Sequence, residues 1–163
     1  LIETEHEPDG GDEINLIRKN KDYGWPHVTY GIEYLANKYY WSLGNNGGAK
    51  YGRHDGYEKP IYAFIPSIGI KAIEKMPKVS PEFSLWQSNY IFCAKNGTYR
   101  ALLSEDNTRL ITQEKILGAN CRDVSITPSG KIVTTTELAP VGDSLVNDHI
   151  IVIGRDKDHK ARN

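Results

Sequence analysis

Apolar positions along this chain come in short runs separated by glycine, proline, asparagine and aspartate, a spacing that predicts strands and turns rather than helices. Ile14–Ile17 reads as a strand, and Gly24–Tyr30 as strand or extended chain. Residues 31–60 carry Tyr39-Tyr40-Trp41, Asn45-Asn46-Gly47-Gly48 and a basic, aromatic stretch to Pro60, and read as an ordered insertion loop. Ile61–Ile65 and Ile68–Glu74 are strands around the Pro66 break; Pro77 to Glu82 is a turn, and Phe83–Gln87 one helical turn. Tyr90–Ala94, Thr98–Leu103 and Arg109–Ile116 form a meander, with Asn96-Gly97 as hairpin signal. Asp123–Thr127 and Lys131–Glu137 form a second hairpin around Pro128-Ser129-Gly130; 138–147 is a loop, His149–Ile153 the last strand, and 155–163 a charged, frayed tail. Many short strands without a long amphipathic helix imply an all-β sandwich, barrel or propeller, and the pattern alone does not choose among them.

Composition narrows the picture. A chain of 163 residues fits one domain and is long enough to bury a core. Its 20 Lys plus Arg against 21 Asp plus Glu leave a net charge of −1, with no basic excess for nucleic acid or an anionic membrane. No apolar run approaches the length of a membrane-spanning helix. A mean hydropathy of −0.53 with 10% aromatics suits a loop-rich β protein better than a disordered chain. Cys93 and Cys121 are too few for a disulfide framework. Two separate buried thiols is the plainer reading, and a strand-to-strand bridge is the alternative if the protein is exported.

The densest candidate chemistry lies in residues 5–26. Glu7, Asp9, Asp12 and Glu13 flank Pro8 and the pair Gly10-Gly11, and an apolar run begins at Ile14. Pro8 fixes one backbone angle, and the glycines permit conformations other residues resist. Such a loop can aim carbonyls and carboxylates at one point, as calcium requires. An acidic surface turn entering a strand accounts for the same residues, and the spacing is not that of a helix–loop–helix calcium site.

The order of the residues says more than their types. His-x-Pro at 6–8 is followed by Gly-Gly-Asp-Glu-Ile-Asn-Leu-Ile at 10–17, a short basic turn, and Tyr23-Gly24-Trp25-Pro26. Downstream come Glu58-Lys59-Pro60-Ile61-Tyr62, Ile65-Pro66-Ser67-Ile68-Gly69-Ile70, Lys95-Asn96-Gly97, Arg122-Asp123 and Pro128-Ser129-Gly130. This series resembles the soluble quinoprotein sugar dehydrogenases, the glucose and aldose dehydrogenases that depend on pyrroloquinoline quinone (PQQ). The resemblance implies a partial β-propeller, about two to three blades of four-stranded antiparallel sheets. Residues 1–163 would then be a single domain, the C-terminal blades of a larger propeller, with sheet faces that neighbouring blades should cover. It also implies oxidation of a sugar C1 hydroxyl by hydride transfer to the quinone, an external electron acceptor, and a periplasmic or secreted location.

The resemblance further implies roles for individual residues. The carbonyls of Glu7 and Pro8 would hold a calcium near the quinone, and Glu13 with the carbonyl of Tyr23 a second. The family usually has glycine where this chain has Glu7, a position where glycine takes the required backbone angles more easily. His6 would sit beside the cofactor ring; a hydrogen-bonded loop histidine is the alternative. Lys95 and Arg122 would meet the carboxylates and quinone oxygens of PQQ, solvent exposure being the plain reading of each. Asn120 stands where the family often has a second arginine, which removes a charge. Ser67 matches a position near the cofactor mouth and is otherwise a turn serine, and Glu137 matches an acidic position to which no role is assigned. The family's general base, a histidine, and an Arg-Asn cofactor clamp lie on earlier blades; His27, His54, His149 and His159 match no such position. A non-catalytic, calcium-stabilised propeller module that binds a protein or carbohydrate partner is the alternative function.

Overall fold

The structure, a computed structural model, describes residues 1–7, 10–31, 54–137 and 148–155 and the backbone of 50–51. The expected loop at 138–147, the tail beyond 155 and most of the insertion loop lie outside the described residues, as does Pro8. The strands are β1 (Ile2–Glu5), β2 (Asp12–Leu16), β3 (Val28–Thr29), β4 (Lys50–Tyr51), β5 (Tyr62–Phe64), β6 (Ile70–Lys75), β7 (Tyr90–Ala94), β8 (Gly97–Leu103), β9 (Leu110–Leu117), β10 (Cys121–Ile126), β11 (Ile132–Thr136) and β12 (His149–Ile153). A short 3-10 turn, Ser84–Trp86, is the helical element among the described residues.

Three antiparallel sheets follow one another along the chain: β1-β2-β5, β6-β7-β8-β9 and β10-β11-β12, with β3 and β4 paired in parallel beside them. The middle sheet has the four strands of a complete blade; the other two have three among the described residues. Its apolar strand β7 is buried along its whole length, because both faces of the sheet are covered and alternate side chains serve opposite cores. Tyr90 and Phe92 pack with Ile14, Phe64 and Ile70 toward the first sheet. Ile91 and Cys93 pack with Met76, Cys121, Val124 and Ile132 toward the third. Phe92, fully buried, lies parallel to Tyr99 with ring centres 5.0 Å apart. Three sheets packed face on face, with β6 between β1 and β10, make the partial propeller the resemblance implies.

Cys93 of β7 and Cys121 of β10 are joined in a disulfide that staples the middle sheet to the third. This corrects the reading of two separate thiols: facing positions on two strands bring the Cα atoms to 5.1 Å, well inside bridging range. Strand β1 was not anticipated, because Ile2-Glu3-Thr4-Glu5 carries a single large apolar residue; its pairing with β2 and the bond from Thr4 Oγ1 to the Lys71 carbonyl (2.5 Å) create it. The extended stretch 24–30 shrinks to Val28–Thr29, because the amides of His27 and Val28 turn back onto the Gly24 carbonyl. The hairpin turns at Lys95-Asn96, with Gly97 already paired to Ala94.

Candidate functional site

Two polar constellations flank the first sheet. The first lies where the inner strands β1, β6 and β10 end or begin. His6 follows β1, and its ring neighbours Gly69, where an added Cβ would also press against Lys95. Gly69 has φ +65, the left-handed conformation that glycine takes without cost. Ser67 Oγ accepts from the Gly69 amide (3.1 Å), and the Lys95 amide is shared between the carbonyls of Ile68 and Gly69 (both 3.0 Å). The β7–β8 hairpin is thereby tied to the 67–69 loop.

Across this end, Lys71 Nζ donates to Asn120 Oδ1 (2.9 Å), and Arg122 meets Glu137 Oε2 (3.2 Å). Burial lowers the Lys71 pKa, the positive charges of Arg122 and Lys95 lower it further, and Glu137 opposes them. The fold thus gathers His6, Ser67, Lys95, Asn120 and Arg122, which the sequence nominated from four separate segments, with Glu137, and adds Lys71. Lys71 was missed; its one sequence signal is a lysine within the apolar run Ile70–Ile73.

The second constellation occupies the other face of the first sheet. Ile14 of β2 points into the core, so period-two alternation sends Glu13 and Asn15 the opposite way, under residues 28–31 and 54–58. Glu13 is 1% exposed. Its Oε2 accepts from Asn15 Nδ2 (3.3 Å), and its Oε1 lies 2.9 Å from His54 Nε2 but off the line of a good hydrogen bond. Asn15 Oδ1 also lacks a partner. His54 Nδ1 is held by the Glu58 carbonyl (3.1 Å), an acceptor, so this nitrogen carries the proton. Burial lowers the His54 pKa. Glu13 is pushed up to about 8 by burial first, and then by the charges of Glu7, Glu5 and Glu3, against the Asn15 bond.

Glu7 is also buried and accepts from Thr29 Oγ1 (2.7 Å); burial pushes its carboxyl up to about 7, with Glu5 and Asp12 adding repulsion against that bond. Gly10 and Gly11 have φ +88 and +80, and an added Cβ at Gly11 would collide with the backbone of Tyr30 and Gly31. Asp12 serves the scaffold: Oδ2 accepts from the amides of Ile68 (3.0 Å) and Ile70 (2.9 Å), and Oδ1 from that of Glu7 (3.1 Å). Tyr23 is pinned by its hydroxyl, which donates to the Leu16 carbonyl (2.6 Å) and accepts from the Arg18 amide (2.8 Å). Among the described residues no three His, Cys, Asp or Glu side chains converge as a metal cluster. The orphaned oxygens of Glu13 and Asn15 are hard donors of the kind calcium takes, so the residues present fit a partial calcium shell.

A family model described as Glucose / Sorbosone dehydrogenase matches residues 1–143. The aldose sugar dehydrogenase YliI of Escherichia coli K12 is 29% identical over 137 residues, 82% of this chain and 34% of that protein. A crystal structure of glucose dehydrogenase superposes with a TM-score of 0.68 at 29% identity, covering 83% of this chain and 37% of the other. The soluble aldose sugar dehydrogenase of Escherichia coli in its apo form superposes with a TM-score of 0.67 at 30% identity, covering 83% and 38%. The chain spans about a third of the length of the curated relatives it matches.

Proposed function

The chain belongs to the glucose and sorbosone dehydrogenase family, and from that premise we propose that it forms the C-terminal blades of a PQQ-dependent aldose dehydrogenase. One observation carries the reading: Lys95 and Arg122, from different sheets, are both close enough to Lys71 to depress its pKa, and the end they share also holds His6 and Ser67. Among the charges that act on Lys71, the two cations Arg122 and Lys95 stand against the carboxylate of Glu137, which Arg122 itself engages. A surplus of cations beside uncharged donors suits a ligand with several carboxylates. PQQ, when bound, accepts the hydride that leaves the sugar C1. In this reading Lys95 and Arg122 bind its anionic oxygens, His6 lines the ring, and Ser67 orients the 67–69 loop at the cofactor mouth. Asn120 acts through Lys71.

Calcium belongs to the same proposal, with the carbonyls of Glu7 and Pro8 at one ion and Glu13 with the Tyr23 carbonyl at another. Support comes from two buried carboxyls that repel one another and from the unpartnered oxygens beside them. The general base, the cofactor clamp and the rest of the cofactor wall come from preceding blades, and electrons pass to an external acceptor. The disulfide favours a periplasmic or secreted location, since structural disulfides persist in oxidising compartments.

Titration of the full-length protein with PQQ, followed by absorbance and by sugar-dependent dye reduction, tests the reading. Saturable binding and aldose oxidation are expected, with Lys95→Ala and Arg122→Ala each weakening binding roughly ten- to a hundredfold. Absence of PQQ binding would put the non-catalytic propeller module in its place.

A further inference from the structure

The inner strands β6 and β10 share a local irregularity that strand patterning does not reveal. In β10 the register slips between Cys121 and Asp123, which face the successive residues Thr136 and Thr135; Arg122 is the extra residue. In β6 the register slips between Ile70 and Ile73, which face Ala94 and Phe92; the extra residue falls within Lys71-Ala72. A bulge re-aims a side chain out of the ladder. Each of these neighbouring inner strands therefore carries a bulge near its start, and each bulge includes a cation.

Lys71 is costly where it stands. It is half-buried near the start of β6, between Ile70 and Ala72, and feels the like charges of Arg122 and Lys95. Its bond to Asn120 Oδ1 uses a neutral acceptor and one of three ammonium protons. Among the described residues it enters no ion pair: Glu137, whose charge favours it, makes its close contact with Arg122. A lysine serving only to tie β6 to β10 would be better placed without two cations beside it.

We propose that Lys71 is a third cationic contact for the bound anion at this end, held in position by Asn120. The ligand class is an organic polycarboxylate, and the assignment to PQQ rests on the functional reading above. Asn120 then keeps a place in the site without binding the ligand directly: it fixes an ammonium where the resemblance expected a second guanidinium.

The test is a PQQ dissociation constant measured on the full-length protein without sugar, at fixed calcium, by absorbance and tryptophan quenching. Lys71→Met should weaken binding roughly ten- to a hundredfold, and Lys71→Arg should retain most of the affinity. Asn120→Ala should lose less than Lys71→Met, and the salt dependence of binding should flatten in Lys71→Met. Lys71→Gln removes the charge and keeps a donor for Asn120, so it decides the matter if near-ultraviolet dichroism finds Lys71→Met unfolded. Wild-type affinity in Lys71→Gln, with Lys95→Ala and Arg122→Ala weakened, overturns the inference and leaves the quinone site standing. Unchanged affinity in all three charge-removing variants overturns the site itself.

Discussion

Glu13 is a carboxyl almost without access to water, raised to about 8 by burial and by its acidic neighbours, with one oxygen lacking a good hydrogen bond. Replacing it with glutamine keeps an acceptor for Asn15 and removes the desolvated charge. In chelator, Glu13→Gln should melt no lower than the parent; with calcium, the parent should gain thermal stability and the variant should gain much less. Equal calcium-induced shifts in differential scanning calorimetry would remove Glu13 from the ion's shell. Asp106 illustrates the opposite electrostatics. It accepts from Ser104 Oγ (2.6 Å), Thr108 Oγ1 (2.8 Å) and the Thr108 amide (3.1 Å), which together lower its pKa to about 2. A folded pKa below the unfolded 3.8 means that the stabilisation is complete above pH 3.8 and is lost as pH falls through 2. A carboxyl-carbon NMR titration should place the midpoint near 2, and a midpoint close to 4 would show the turn open in solution. Sequence motifs nominated Glu13, Lys95 and Arg122, but not His54 or Lys71, because those two matter only through neighbours remote in the chain.

Among the elements, β7 and the disulfide carry the testable energetics. Phe92 is fully buried between Phe64 and Tyr99, so Phe92→Ala should cost about 3–5 kcal/mol through lost transfer free energy and the cavity left behind. Chemical denaturation should register this as a lower midpoint with little change in slope. The Cys93–Cys121 bridge closes a sequence separation of 28 residues, for which loop-closure entropy gives about 3–4 kcal/mol. Replacing both cysteines with serine should lower stability by that order, and reductant should do the same to the parent but nothing to the variant. Free thiols in the folded, unreduced protein by mass spectrometry would rule the bridge out. The strands β7 and β12 were legible to the residue as short apolar runs between turns, and of the two β7 is buried throughout, in a sheet covered on both faces. The bulges at Lys71 and Arg122 were not, because a bulge is a mismatch between two strands and neither strand encodes it alone.

For the whole molecule, the free faces are the decisive feature. On the third sheet Ile150 and Val152 are 74% and 56% exposed, and an open groove of about 590 Å³ beside them is lined by Arg122, Thr135, Thr136, Glu137, Asp148, His149 and Ile150. The other face of that sheet is sealed against the middle one. The isolated 163-residue chain should self-associate through such faces, seen as concentration-dependent sedimentation, and should oxidise no sugar even with PQQ and calcium. Turnover by the isolated chain would contradict the assignment of the base to preceding blades. By itself the sequence determined the all-β class, most strand positions and the family, and nominated His6, Ser67, Lys95 and Arg122, because apolar periodicity and ordered motifs are local properties of a chain. The tertiary structure decided the disulfide, the burial of Glu7 and Glu13, the His54 contact and the place of Lys71 beside Asn120. Each of these depends on which faces the sheets turn toward one another, and burial, charge coupling and register exist only once distant segments meet.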